Sequence, residues 1–305
     1  MSGYLWKIFS VLLSFLVFGL WTVGAAEHHH FSSVRHTVKT SVPYRFIAFG
    51  DWGTGNPFQK AVAAQSISLY QKQPFDSVLL LGDNIYEFGD VKKYGKAYFT
   101  DMYAPLLKGG VQFIVALGNH DRRGGFQDDQ VRFFGMPGYY YRVQKPDIDF
   151  FILDTNTFGN DEIQQKWLKK SLSESKAHWQ IVMAHHPIYS SGEHGCNALL
   201  RKKLEPILIQ NGADLYLAGH DHDYERFAPI QGIQYIVSGG GGAYLRDFSQ
   251  IVPQSRVRLK THHFLSFESD TSGLKMKVYD STGAVVDQAS WPLPKTLIRP
   301  VPGRA

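Results

Sequence analysis

The chain has 305 residues, 44% of them hydrophobic and 19% charged, with a formal net charge of +5 and one cysteine. These proportions fit a globular protein with a substantial buried core, and the mild positive excess favours anionic ligands. No block of Lys or Arg is long enough for a nucleic-acid arm, so no nucleic-acid partner is expected, and Cys196 alone excludes an intrachain disulfide.

In chain order, Lys7 leads into an apolar run over 8–21, followed by the small residues Val23-Gly24-Ala25-Ala26. That is the pattern of a secretory signal peptide over 1–26, cut after Ala25 or Ala26. The run is short for a membrane span, so no stable membrane anchor is expected and the mature protein should be secreted or periplasmic. Residues 27–43, with His28-His29-His30, read as a loose, solvated leader. Strand-like and helix-like segments then alternate. A strand over 45–49 precedes a helix over 58–73, and a strand over 77–81 precedes a helix over 94–107. Strands follow over 113–117 and 150–153, then a helix over 162–174 with Ile163, Trp167, Leu168 and Leu172 on one stripe. After a strand over 180–183, a helix over 197–210 aligns Leu199, Leu200, Leu204, Ile207 and Leu208, with Asn211-Gly212 as its stop. Strands over 214–218 and 234–238 and an antiparallel hairpin turning at 280–283 complete the pattern. The strand runs are continuously apolar, as expected where both faces are covered. One domain over 44–291 and a proline-rich tail over 292–305 are expected.

Five short segments interrupt these runs at strand ends: Gly50-Asp51-Trp52-Gly53, Gly82-Asp83-Asn84-Ile85-Tyr86, Gly118-Asn119-His120-Asp121, Ala184-His185-His186-Pro187 and Gly219-His220-Asp221-His222. Strand ends are where α/β sheets gather functional groups. The donors are Asp51, Asp83, Tyr86, Asn119, His185, His220 and His222. A mixture of carboxylate, phenol, amide and imidazole without thiolate points to iron, zinc or manganese. Seven donors exceed one ion's usual share and suit two ions ~3.5–4 Å apart, joined by a carboxylate. Trp52, Asp121, His186 and Asp221 are expected to support or pack beside the ligands. The run Gly239-Gly240-Gly241-Gly242 lacks the Lys-Ser/Thr of a phosphate loop and reads as a tight turn, while His262 and His263 read as surface or packing residues.

These segments, with Ser191-Gly192-Glu193-His194-Gly195, resemble the purple acid phosphatases among the calcineurin-like metallophosphoesterases, and most the small mammalian-type tartrate-resistant acid phosphatases. The resemblance runs from about Phe46 to the C-terminal hairpin. It implies an α/β metallophosphoesterase fold, two facing mixed β-sheets (a β-sandwich) flanked by α-helices. It also implies a binuclear centre in which Asp51, Tyr86 and His222 bind Fe(III), Asp83 bridges, and Asn119, His185 and His220 hold a divalent ion, Fe(II), Zn or Mn. His120 and His194 match positions that bind phosphate oxygens or protonate the leaving group. The implied activity is that of an exported acid phosphatase, hydroxide at the metal pair attacking the phosphorus of small phosphorylated monoesters. A monomer is expected. A phosphodiesterase or nucleotidase on the same centre, and a non-catalytic scaffold retaining the fold, are the competing readings.

Two departures bear on regulation. Mammalian-type members pair a cysteine near Cys196 with one in a region that here reads Thr155-Asn156-Thr157-Phe158-Gly159. Their longer, protease-sensitive loop before the helix at Glu162 is nearly closed up at Gly159-Asn160-Asp161. Neither redox nor proteolytic activation through those elements is expected.

Overall fold

The apolar runs form strands, and punctuating prolines and glycines set where the intervening helices begin and end. The structure, a computed structural model, describes residues 42–293. The signal peptide expected over 1–26, nearly all of the leader and nearly all of the tail lie outside the described residues. Among the described residues no helix is long and apolar enough to cross a membrane.

Strand β1 (Tyr44–Phe49) leads to α1 (Pro57–Lys72), which starts where Asn56 accepts a hydrogen bond from the Gln59 amide and Pro57 occupies the first turn. Next come β2 (Ser77–Leu81), α2 (Val91–Gly95), a π-helical stretch Lys96–Thr100 and α3 (Ala104–Lys108). The single helix expected over 94–107 is thus broken, because Pro105 has no N–H to continue a helix and sits instead in the first turn of α3. The chain continues through β3 (Gln112–Ala116), α4 (Asn119–Arg123), α5 (Gln127–Phe133), β4 (Tyr141–Gln144), β5 (Ile148–Ile152), α6 (Glu162–Ser173) and β6 (Trp179–Met183). Pro206 likewise splits the helix expected over 197–210 into α7 (Ala198–Lys203) and α8 (Glu205–Gln210). The remainder is β7 (Leu215–Ala218), β8 (Tyr224–Phe227), β9 (Gln234–Ser238), β10 (Ser255–Leu259), β11 (His263–Asp270), β12 (Gly273–Asp280) and β13 (Val285–Pro292).

The strands assemble into two mixed sheets, ordered β13-β12-β11-β1-β2-β3 and β10-β8-β9-β7-β6-β5-β4. In the first, β1, β2 and β3 are parallel, and β11 joins β1 antiparallel. In the second, β5, β6, β7 and β9 are parallel. One apolar core lies between the sheets: Phe46 of β1 stacks on Phe267 of β11 at 4.6 Å and meets Phe150 of β5 edge-on at 5.1 Å.

The period of two explains the continuous apolar runs. Phe150, Ile181, Leu215 and Ile236 join the core between the sheets, while Phe151, Val182, Tyr216 and Val237 join a second core that also holds Leu168 and Leu172 of α6, Leu200 of α7 and Leu208 of α8. Both faces of the second sheet's central strands are therefore covered. Two expected core residues are exposed, Ile163 at 74% and Leu199 at 47%, and Trp167 and Ile207 are partly buried. In α6 the inward position is taken by Gln164, whose amide accepts the Asp154 N–H at 3.0 Å and donates to the Asp154 carbonyl at 3.2 Å. A satisfied polar side chain thus takes the first place on the stripe, while Leu168 and Leu172 keep theirs.

Candidate metal centre

Parallel strands in both sheets deliver turns to one site: Gly50-Asp51 after β1, Gly82-Asp83 after β2, Gly118-Asn119 after β3, Ala184-His185 after β6 and Gly219-His220 after β7. Backbone hydrogen bonds tie the turns together. The Asp51 N–H donates to the Gly82 carbonyl at 3.0 Å, the Gly219 N–H to the His185 carbonyl at 3.0 Å, and the Gly50 N–H crosses between sheets to the Ser238 carbonyl at 2.8 Å. Among the described residues four non-glycine residues have positive φ, and three of them are Asp51 (58°), Asp83 (50°) and His220 (74°). Such backbone costs ~1–3 kcal/mol per residue and persists where the surrounding structure enforces it. Here the strain coincides with the donors.

Asp51, Asp83 and His222 form one cluster, their ligand atoms within 4.8 Å of one another. Tyr86 Oη joins it, 3.2 Å from Asp51 Oδ1 and 3.2 Å from His222 Nε2. His222 Nδ1 lies 2.8 Å from the Tyr244 carbonyl, which can only accept, so in the neutral ring the lone pair is on Nε2, facing Asp51 Oδ1 at 3.4 Å. Burial opposes charge on His222, but Asp51 outweighs it and lifts the pKa above the ordinary value. Burial, together with the Asp51 and Asp83 carboxylates, drives the Tyr86 phenol well above its usual range. Only a strong cation would make phenolate the stable form in such surroundings.

His185, His186 and His220 form a second cluster by the same measure. His185 Nδ1 lies 2.9 Å from the Leu81 carbonyl, which leaves Nε2 facing Asn119 Oδ1 at 2.9 Å, His220 Nδ1 at 3.2 Å and Asp83 Oδ1 at 3.4 Å. Burial works against a charge on His185, yet Asp83 and then Asp51 raise its pKa. His220, surrounded by other imidazoles, is held far below the ordinary range, with burial the main cause. Burial also opposes ionisation of Asp83, but His185 and His120 outweigh it and lower its pKa. Asp83 touches both clusters: it belongs to the first, and its Oδ1 stands 3.4 Å from His185 Nε2 of the second. The donor set therefore fits a pair of cations: lone pairs face one another in each half, and a positive ion between them removes the conflict.

Behind the ligands, Asp121 is fully buried and accepts backbone N–H bonds from Gly118, Asn84 and Ile85. Burial and the nearby charge of Asp83 push its pKa up to about 7. Trp52 Nε1 donates to Asn84 Oδ1 at 3.1 Å. Both act as supports, as expected, and Asp221 fixes the loop carrying His194 by accepting the His194 N–H at 2.9 Å. Gly239-Gly240-Gly241-Gly242 is a turn that meets the Gly50 carbonyl through the Gly241 N–H, and His263 packs fully buried against Ser238.

The expected substrate-facing histidines flank the centre. His120 stands over the Tyr86 ring at 4.4 Å, its Nδ1 2.8 Å from the Glu87 carbonyl. The His194 ring stacks on His220 at 4.2 Å. Sequence reading missed Arg246, whose guanidinium contacts His194 Nε2 and stands 3.6 Å from Glu193. It lies in a loop without a motif and carried no local signal. Arg246 lines a cleft of about 610 Å³ together with Tyr86, His120, His222, Tyr94, Tyr98 and Tyr244. His186, expected to pack beside the ligands, has a ring nitrogen within 4.8 Å of those of His185 and His220.

The calcineurin-like phosphoesterase family model matches residues 44–224. Purple acid phosphatase 3 of Arabidopsis thaliana is 31% identical over 287 residues, spanning 81% of this chain and 77% of that protein. Tartrate-resistant acid phosphatase type 5 of Oryctolagus cuniculus is 31% identical over 236 residues, 65% of this chain and 72% of that protein. Among solved structures, GAP50, "the anchor in the inner membrane complex of Plasmodium", aligns with a TM-score of 0.75 at 23% identity, covering 84% of this chain and 90% of that one.

Proposed function

The chain belongs to the calcineurin-like phosphoesterases, among the purple acid phosphatases, and from that premise we propose that it is an exported, monomeric acid phosphatase hydrolysing small phosphate monoesters on two metal ions. The observation that carries this reading is the pair of donor clusters joined through Asp83. In this reading Asp51, Tyr86 and His222 would hold Fe(III), and Asn119, His185 and His220 would hold Fe(II), Zn or Mn, with Asp83 shared between the two groups. When bound, the ions supply Lewis-acid charge for the phosphate oxygens and activate the attacking water.

The chain's own residues do the rest. Arg246 and His120 face the cleft and bind phosphate oxygens. His194, held by Asp221 and by its stack on His220, donates a proton to the leaving alkoxide. In the free protein burial, then Arg246, depresses the His194 pKa against the pull of Asp221. An arriving phosphate dianion reverses that field, so substrate and proton arrive together. Tyr94, Tyr98 and Tyr244 offer a flat wall to the organic part of the ester.

Metal-replete protein should turn over p-nitrophenyl phosphate between about pH 4 and 7, and bis-p-nitrophenyl phosphate more slowly, the range in which histidine exchanges its proton. No turnover of either ester by protein with full metal content would overturn the reading, and faster turnover of the diester would favour a phosphodiesterase. A non-catalytic scaffold is the second reading; GAP50, which is called an anchor, has a similar fold. Purified protein with little metal and no activity would support it.

A further inference from the structure

Two adjacent side chains of an extended segment point to opposite sides, yet His185 and His186 reach the same site. Strand β6 ends at Met183, and the turn that follows brings both rings round. One ring nitrogen each of His185, His186 and His220 lies within 4.8 Å of the others. The His186 ring is 4.5 Å from that of His220 and 5.0 Å from that of His185.

The residue is anchored at three atoms. Thr155 Oγ1 accepts its backbone N–H at 3.1 Å and holds Nδ1 at 2.9 Å, while Tyr216 Oη donates to its carbonyl at 2.7 Å. When Thr155 Oγ1 accepts from Nδ1–H, as it does from the backbone N–H, the lone pair lies on Nε2, the nitrogen left to bind an ion. Metal-binding histidines are ordinarily oriented in this way, one nitrogen tied to a neighbour and the other aimed at the ion.

We propose that His186 is a further protein ligand of the divalent ion, beside Asn119, His185 and His220, and that its imidazole biases that position toward zinc over manganese. The inference rests on the two-ion reading of the centre. A third imidazole suits zinc, whereas manganese prefers oxygen donors.

The test is chelator-competition titration of metal-free wild type, His186→Ala and His186→Gln with Zn²⁺ and with Mn²⁺, with circular dichroism confirming the fold. Cobalt-loaded samples supply a visible ligand-field spectrum. The loss of one ligand should weaken zinc binding at one of the two positions by about tenfold or more and change the cobalt spectrum. Manganese should be affected much less. His186→Gln offers an amide oxygen instead of nitrogen, so its zinc-to-manganese preference should fall, and it serves as the second variant should His186→Ala fail to fold. If wild type takes up two ions and both folded variants bind zinc as tightly, with an unchanged cobalt spectrum, His186 is not a ligand and the two-ion reading stands. If wild type takes up fewer than two ions, the two-ion reading falls, and this inference with it.

Discussion

At the scale of single residues, the centre is a problem of opposed lone pairs. Tyr86 shows it most clearly, because two carboxylates and burial make its phenolate unfavourable until a cation arrives. If iron occupies that position, Tyr86→Phe should retain the folded far-ultraviolet spectrum and lose the visible absorption band of the iron-loaded protein. A variant that keeps the band would remove Tyr86 from the iron. The seven donors were legible in the sequence because the identity of a ligand is local information and each follows an apolar run. The place of Arg246 and the closeness of the His186 ring to those of His185 and His220 were not. An imidazole next to a ligand reads the same whether it packs or binds, and an arginine in a loop has no periodicity to place it.

At the scale of elements, turns decide where donors point. Gly82 has φ 91°, and a Cβ on it would lie 2.6 Å from His185 Nδ1 and 2.8 Å from His185 Cβ. Gly82→Ala should therefore push the His185 ring off its Leu81 anchor, lower bound metal as measured by elemental analysis, and cost about 1–3 kcal/mol in stability from backbone strain alone. Full metal content in that variant would show that the turn tolerates a side chain. The strands with continuous apolar runs were legible, whereas β8 and β10 were not, since Glu225, Arg226, Arg256 and Arg258 interrupt their patterns. Glu225 is buried all the same, accepting both the Ser191 N–H and its hydroxyl. Helices over 94–107 and 197–210 were read too long because their apolar spacing continues across Pro105 and Pro206, which the backbone cannot follow.

At the scale of the whole molecule, stability should depend on acidity through a residue outside the donor set. His263, at the start of β11, is buried between Ser238 of β9 and the Thr261 carbonyl, and burial lowers its pKa from 6.5 to about 4. Above pH 6.5 both the folded and the unfolded chain carry it neutral, so it costs nothing. As pH falls from there toward 4, the unfolded chain takes up a proton that the folded chain refuses, and stability drops by on the order of 3 kcal/mol. His263→Gln should flatten that loss. Urea midpoints at about pH 4.5 and about pH 7.5 measure it, and an unchanged slope between wild type and variant would exclude His263 as the source.

The sequence by itself determined the chemistry: which atoms can bind metal, that they follow strands, and that their number suits two ions. It did so because donor type and strand period are properties of short segments. Only the tertiary structure decided which lone pairs share a point. Strained turns at Asp51, Asp83 and His220, in strands from two different sheets, aim donors far apart in the chain at one place. That convergence depends on dihedral angles and on packing between sheets, and no local pattern of residues encodes it.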